Sequence, residues 1–269
     1  MAKPELKWIE TPGTTQARTL AGLRAALAAR QGAAVPQPPE RLLPTGIGPL
    51  DLALGGGFPR GIIATLEGPM SSGRSSVAFR LAAGAQTRGL IAAIDDGTLF
   101  APAIAAAGVA LDRLVTIDAR DPIAIARSAD IVLRCGAFSL VLIPALTLSA
   151  SAWTRLGMLA HRSGTLLLAL GASASNELAY FASLRVGARI DRVHWEGASG
   201  VFCTLTGYDV RADVLKHKRA APGKHAVFFV RAFEGFSDAD HLRIRPLLQT
   251  HNGHARSPAL GRAPRVARG

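Results

Sequence analysis

Gly68-Pro69-Met70-Ser71-Ser72-Gly73-Arg74-Ser75-Ser76 follows the apolar run Ala64-Thr65-Leu66-Glu67 and opens a helical pattern that continues to Arg88. A glycine at each end, then a basic and a hydroxyl residue, at a strand-to-helix junction is the spacing of a phosphate-binding loop. In such a loop, successive backbone N–H groups and the helix N-terminus hold phosphate oxygens. A lysine reaches the outer phosphates, and a hydroxyl binds Mg²⁺. Here the spacing G-x-x-x-x-G-x-S is kept, but Arg74 stands at the lysine position. A guanidinium is a planar fork rather than a compact point charge, so the exchange is not neutral. Gly68, Ser71, Ser72, Gly73, Arg74, Ser75 and Ser76 are therefore the candidate nucleotide-binding residues of a degenerate loop. A plain Gly/Ser-rich turn is the alternative for the same stretch.

Outward from the loop, short uncharged runs alternate with helical patterns. Strands are expected at Ile62–Leu66, Leu90–Ile94, Leu114–Ile117, Leu140–Ile143 and Leu166–Leu170, buried on both faces, with helices such as Ser75–Arg88, Ala101–Ala107 and Trp153–Arg162 between them. That alternation means βαβ units and a mostly parallel sheet, an α/β fold. Beyond Arg185 the runs Ile190–Trp195, Val201–Thr206, Val210–Lys216 and Ala226–Phe233 suggest an antiparallel β extension. Three zones follow: residues 1–40, a helix with Leu20, Leu23 and Leu27 on one side and the start of a proline-rich linker (31–44); 41–236, the core; and 237–269, a basic tail read as disordered.

The 269 residues carry a net charge of +12 and are 49% hydrophobic, enough apolar material for a real core. Half of the excess sits beyond residue 240, where Arg243, Arg245, Arg256, Arg262, Arg265 and Arg268 meet no acid. Such a tail implies an acidic partner, nucleic acid first. It has no aromatics for base stacking, and protein contacts are the alternative use. No uncharged run is long enough to span a membrane, and the N-terminus lacks the apolar stretch of a secretory signal. Cys135 and Cys203 have no partner pattern and read as reduced structural thiols in apolar surroundings. A cytoplasmic, nucleoid-associated protein without a metal site is expected.

Over residues 41–235 the chain resembles the RecA recombinase family. The resemblance rests on Thr45-Gly46 with Leu50-Asp51-Leu52-Ala53-Leu54-Gly55, on the loop itself, on Ala107-Gly108-Val109 with Leu111-Asp112-Arg113-Leu114, on Phe181-Ala182-Ser183-Leu184-Arg185, and on Lys216-His217-Lys218-Arg219-Ala220-Ala221-Pro222. It implies a RecA-like core. It also makes the departures legible. The family's water-activating Glu falls at Gly97, and the acid that ends its metal-orienting strand falls at Pro144. Its adenine-flanking residues fall at Ala101 and Ile104, and its phosphate-sensing Gln at about Ala172. The connections that hold the family's DNA loops are short here. Tyr180, Lys216 and Lys218 match positions that meet a neighbouring subunit, though a solvated strand end would also account for the lysines.

A RecA core without these acids and loops, but with a basic tail, resembles ImuA, the RecA/SulA-related accessory factors of bacterial translesion synthesis. This resemblance implies a non-catalytic scaffold with weak or no ATP binding. Its partners would be RecA, an ImuB-like inactive Y-family polymerase and an error-prone C-family polymerase, with DNA contacted through the tail. Two other readings stay open: a divergent ATP-dependent recombinase or RadA-like ATPase, and a SulA-like cell-division inhibitor. The empty site would let Arg74 pair with Asp95 or Glu67. The N-terminal helix is expected to dock on a neighbouring RecA-type core.

Overall fold

The computed structural model describes residues 41–197, 203–220 and 223–232. The expected helix bearing Leu20, Leu23 and Leu27 and the arginine tail lie outside them. The chain enters through β1 (Leu42–Leu43), which pairs antiparallel with β2 (Phe58–Pro59) across α1 (Gly48–Leu54). The last residues of the proline-rich linker are thus core: Leu43 is wholly buried. Asp51 explains why Thr45-Gly46 and Leu50-Asp51 recur together. Its carboxylate accepts from the Thr45 N–H and hydroxyl, both at 2.8 Å, and from the Gly46 N–H at 3.0 Å.

The central sheet then takes β3 (Ile63–Glu67), β4 (Leu90–Asp95), β5 (Leu114–Asp118), β6 (Phe138–Pro144) and β7 (Leu166–Gly171). It is completed by β8 (Leu184–Glu196), β9 (Thr204–His217) and β10 (His225–Arg231). Eight strands run in the order β10-β9-β8-β3-β7-β6-β4-β5. The six from β8 to β5 are mutually parallel, and β9 and β10 are antiparallel. This is the α/β architecture expected from the sequence. Two details differ. β8 begins at Leu184, directly beside β3, so the parallel sheet gains a sixth strand that Arg185 and Arg189 had disguised as surface. β5 is an edge strand with Val115 exposed, so it is not buried on both faces.

Side chains of the inner strands alternate between two cores, as the two-residue period requires. Ala64, Leu66, Ile91, Ala93, Leu140, Leu142, Leu166 and Leu168 face α1, α2 (Arg74–Ala85) and α3 (Ala101–Ala106). Ile63, Ala92, Ile94, Val141, Ile143, Leu167 and Ala169 face α4 (Pro122–Cys135), α5 (Ala150–Ser163) and the short α6 (Asn176–Phe181). Both long helices of the second layer are capped. The Asp121 carboxylate accepts from the N–H groups of Ile123 and Ala124, and the Ser149 hydroxyl accepts from Ala152. The early cap is why α5 starts three residues before the sequence pattern does. Cys135 and Cys203 are both exposed, so neither is the apolar-packed thiol expected.

Trp153 is the largest fully buried side chain of the second core, and its indole N–H meets no acceptor among the described residues. Trp153→Ala should destabilise the fold by about 3–5 kcal/mol. Trp153→Phe should cost under half of that, because the ring volume stays and a buried unpaired donor is removed. Urea unfolding followed by circular dichroism measures both. Equal losses would show that packing volume is not what the position supplies.

Candidate functional site

The loop between β3 and α2 places backbone N–H groups at the end of the sheet and at the start of a twelve-residue helix. Ser71 takes the left-handed conformation (φ 59°), and so does Gly73 (φ 85°), which caps α2. Both glycines answer to packing as well as to turn geometry. A Cβ on Gly68 would lie 2.3 Å from the Ala188 carbonyl oxygen, and one on Gly73 would lie 2.6 Å from Val210. Ala188 is on β8 and Val210 on β9, so these strands press directly on the loop. Above it lies a hollow of about 470 Å³, floored by residues 70–76 and walled by Ile190, Val193, Leu205 and Tyr208. Among the described residues no carboxylate lines it. The Ser72 hydroxyl is buried there without a hydrogen-bond partner.

Arg74 does not reach outward into this hollow. Its Nη1 donates back to the Gly68 carbonyl oxygen, bridging the two ends of the loop. The ion pair expected with Asp95 or Glu67 is therefore not formed, because both acids are otherwise engaged. Asp95 accepts from the N–H groups of Thr98 and Leu99 at 2.8 and 3.0 Å, and Asp96 accepts from the Thr98 hydroxyl. They close the turn that contains Gly97, which has open space around it. Pro144 ends β6 opposite Leu170 of β7, which itself lies opposite Leu66 of β3, in line with the loop's approach. Ala101 starts α3 and Ile104 is buried in the first core. Ala172 follows the last residue of β7. No group of three or more His, Cys, Asp or Glu side chains that could hold a metal ion occurs among the described residues.

Among the described residues Glu67 gathers more hydrogen bonds than any other carboxylate, and sequence reasoning missed its role. The carboxylate is buried directly before the loop. It accepts from Arg185 Nε at 2.8 Å and Nη2 at 2.9 Å, from the Thr65 hydroxyl at 2.6 Å and from the Ala174 N–H at 3.1 Å. Burial alone would push its pKa up, but the hydrogen bonds from Arg185, Thr65 and Ala174 outweigh that and hold it below the usual carboxylate range. The available signal was an acid ending an otherwise apolar strand, and an arginine inside the next buried one.

The predicted subunit-contact residues divide. Tyr180 is 74% exposed on α6, its ring edge-on to Phe181. Lys216 is occupied inside the chain: its Nζ donates to the carbonyl oxygens of Ala179 and Tyr180 at 2.7 and 2.9 Å, closing the C-terminus of α6. Desolvation, Lys218 and Arg185 lower its pKa. The Lys218 side chain makes no hydrogen bond or ion pair among the described residues.

A parallel α/β sheet with a glycine-bounded loop running into a helix at its centre is a P-loop type of core. Residues 34–153 match the RecA N-terminal domain family. RecA of a Nitratiruptor species is 30% identical over 251 residues, covering 76% of this chain and 70% of that protein. RecA of Kineococcus radiotolerans is 40% identical over 110 residues, which span 40% of this chain and 32% of its own length. The match thus covers about a third of the first relatives and over two thirds of the Nitratiruptor one. The RadB recombinase crystal structure superimposes with a TM-score of 0.56 at 17% identity, over 72% of this chain and 98% of RadB. The chain belongs to the RecA family.

The Glu67–Arg185 pair yields a signed pH dependence. Because the folded-state pKa of Glu67 is depressed, its contribution is fully present above the unfolded carboxylate value of about 4.3 and is lost as pH falls through the lowered one. Glu67→Ala should cost about 3 kcal/mol near neutral pH, since Arg185 is left partly buried and unpaired. It should also flatten the acid limb of a stability–pH curve taken by urea titration. A variant as acid-sensitive as the parent would remove Glu67 from the acid response.

Proposed function

We propose that this chain is a non-hydrolysing RecA-family protein that acts by binding and scaffolding in the bacterial DNA-damage response, in the manner of the ImuA accessory factors. One observation carries this reading: Arg74 is turned back onto the loop's own Gly68 carbonyl, beneath a hollow that no described carboxylate lines. Backbone N–H groups and hydroxyls suit an anion, but Gly97 and Pro144 stand where the family keeps its catalytic base and its metal-orienting acid. A Mg²⁺ nucleotide needs a carboxylate on the metal's water shell and a group to orient the attacking water. The residues present do not fit that set. Loss of either acid removes orders of magnitude in rate.

The scaffold role rests on the resemblance to ImuA. Its partners would be RecA, an ImuB-like polymerase relative and an error-prone C-family polymerase. Crosslinking mass spectrometry in cells after DNA damage tests it: crosslinks to those proteins support the reading, and crosslinks only to the division machinery favour the SulA-like one.

No steady-state ATP turnover above background is expected, and titration calorimetry with Mg²⁺–ATP should give no micromolar binding. Arg74→Lys alone should not restore turnover, since Gly97 and Pro144 remain. Turnover that Arg74→Ala abolishes would overturn the non-hydrolysing reading.

DNA contact would come through the tail arginines. Six of them neutralise at most about six phosphates, which gives a log–log salt slope no steeper than about −4 to −5. Gel shifts at about 50 and 200 mM salt, with and without residues 237–269, should show weak, sequence-indifferent binding that disappears with the tail. Salt-insensitive binding that survives the truncation would locate the contact elsewhere.

A further inference from the structure

The sheet ends at β10, which is hydrogen-bonded to β9 on one side only. The register fixes which of its backbone groups are used. The Lys224 carbonyl oxygen accepts from the Val214 N–H at 2.8 Å, and the Ala232 N–H donates to the Thr206 carbonyl oxygen at 3.0 Å. Lys224 and Ala232 thus face β9, and in an antiparallel ladder so do Ala226, Phe228 and Val230 between them. The N–H and C=O groups of His225, Val227, Phe229 and Arg231 point the other way. Among the described residues nothing hydrogen-bonds to them.

The side chains of this strand follow the same alternation. Ala226, Phe228 and Val230 are buried in the first core, whereas Val227 and Phe229 are 44% and 49% exposed on the outer face. The Phe229 ring is held in place: it lies over Gly207, where a Cβ would come within 2.4 Å of it, and meets His194 edge-on at 5.3 Å. Sheet edges are ordinarily guarded by a proline, an interior charge, a bulge or a covering element. The seven residues of β10, His225–Arg231, hold no proline and no charge between their ends, and their register with β9 is unbroken. The edge is long, apolar and open among the described residues.

The chain's own remaining segments are poor strands for it. Residues 31–40 bring Pro36, Pro38 and Pro39, which cannot donate to a ladder, and residues 233–242 bring Gly235, Ser237, Asp238 and Asp240, all disfavoured in sheets. β10 itself is different. Reversed against a second β10, Phe228 meets Phe228, Val227 meets Phe229, Ala226 meets Val230 and His225 meets Arg231. In this alignment the outward-bonding residues of one strand face those of the other, as an antiparallel ladder requires. Four facing pairs exchange about eight hydrogen bonds, against the roughly ten of a standard interface. The charges also agree. Arg231 makes no hydrogen bond or ion pair among the described residues, and it arrives beside the other copy's His225, whose neighbour on β9 is Asp213. Shifting the pairing by two residues would instead set Arg231 against Val227 or His225 against Phe229.

We propose that β10 pairs antiparallel with β10 of a second copy of this chain, about a two-fold axis at Phe228, so that two eight-stranded sheets become one. The contact is isologous, and each outward residue is therefore used twice. It is also short, so the dimer assembles at micromolar concentration rather than permanently. It does not depend on whether the phosphate loop takes a nucleotide.

The test is sedimentation velocity on the full, nuclease-treated chain, which should pass from one copy to two between low and high micromolar concentration. Val227→Pro removes an N–H that points away from β9, so the melting temperature of the monomer should not change. By symmetry it deletes two inter-chain bonds and should weaken association about tenfold or more. Val227→Lys should do the same by placing a charge inside the edge, and Val227→Ile should not. Residue-resolved hydrogen exchange should show the Val227 and Phe229 amides slowing with concentration, while Ala226 and Phe228, already bonded to β9, stay constant. A parent that is monomeric throughout, or a dimer indifferent to both the proline and the lysine, overturns the proposal. So does association that appears only once residues 233–269 are removed, which would show the chain's own segment on the edge.

Discussion

The Glu67 carboxylate sits where β3 ends and the loop begins, and it gathers four donors from three separate parts of the chain. A charge taken out of water costs several kcal/mol unless its partners are close and its lone pairs are filled, and here both conditions are met. The two-pronged contact with Arg185 fixes β8 against β3, and the Ala174 N–H fixes the β7–α6 connection to the same point. The Ala188 carbonyl that presses on Gly68 is carried on the strand this carboxylate ties to β3, and Val210, which presses on Gly73, sits on β9, the next strand out. It is also the one buried carboxylate among the described residues, and it is fully used in holding the strands.

The glycines of the loop have a second reason to persist. Gly68 and Gly73 are pressed by β8 and β9 closely enough that a side chain on either would collide. The loop's outline is therefore enforced by strand packing, independently of any phosphate. Its chemical content is not so constrained: Arg74, Gly97 and Pro144 lie on separate elements, and each fits its local backbone without reference to the others.

This division explains what could be read in advance. The parallel sheet was legible because Ile91–Ile94, Leu140–Ile143 and Leu166–Leu170 are buried on both faces, and burial of that kind writes an uncharged run. The loop was legible because its glycines have no substitutes. β8 was misjudged at its start because Arg185 is charged, and only the three-dimensional meeting with Glu67 turns that charge into a buried pair. The target of Arg74 was also out of reach. A guanidinium can turn to a carboxylate or to a backbone carbonyl, and nothing in spacing says which.

β3 stands in the middle of the sheet, yet both of its neighbours come from far along the chain. Ile63 pairs with Leu167, Ala64 with Leu184, and the Glu67–Arg185 contact spans 118 residues. During synthesis the central strand emerges early and waits, unpaired, until β7 and β8 have left the ribosome. The helices can form as they appear, but the sheet closes around its axis only at the end, and such long-range closure is slow. The strand that carries Glu67 is therefore the one that stays unpaired longest while the chain is being made, and its carboxylate lacks its arginine until β8 arrives.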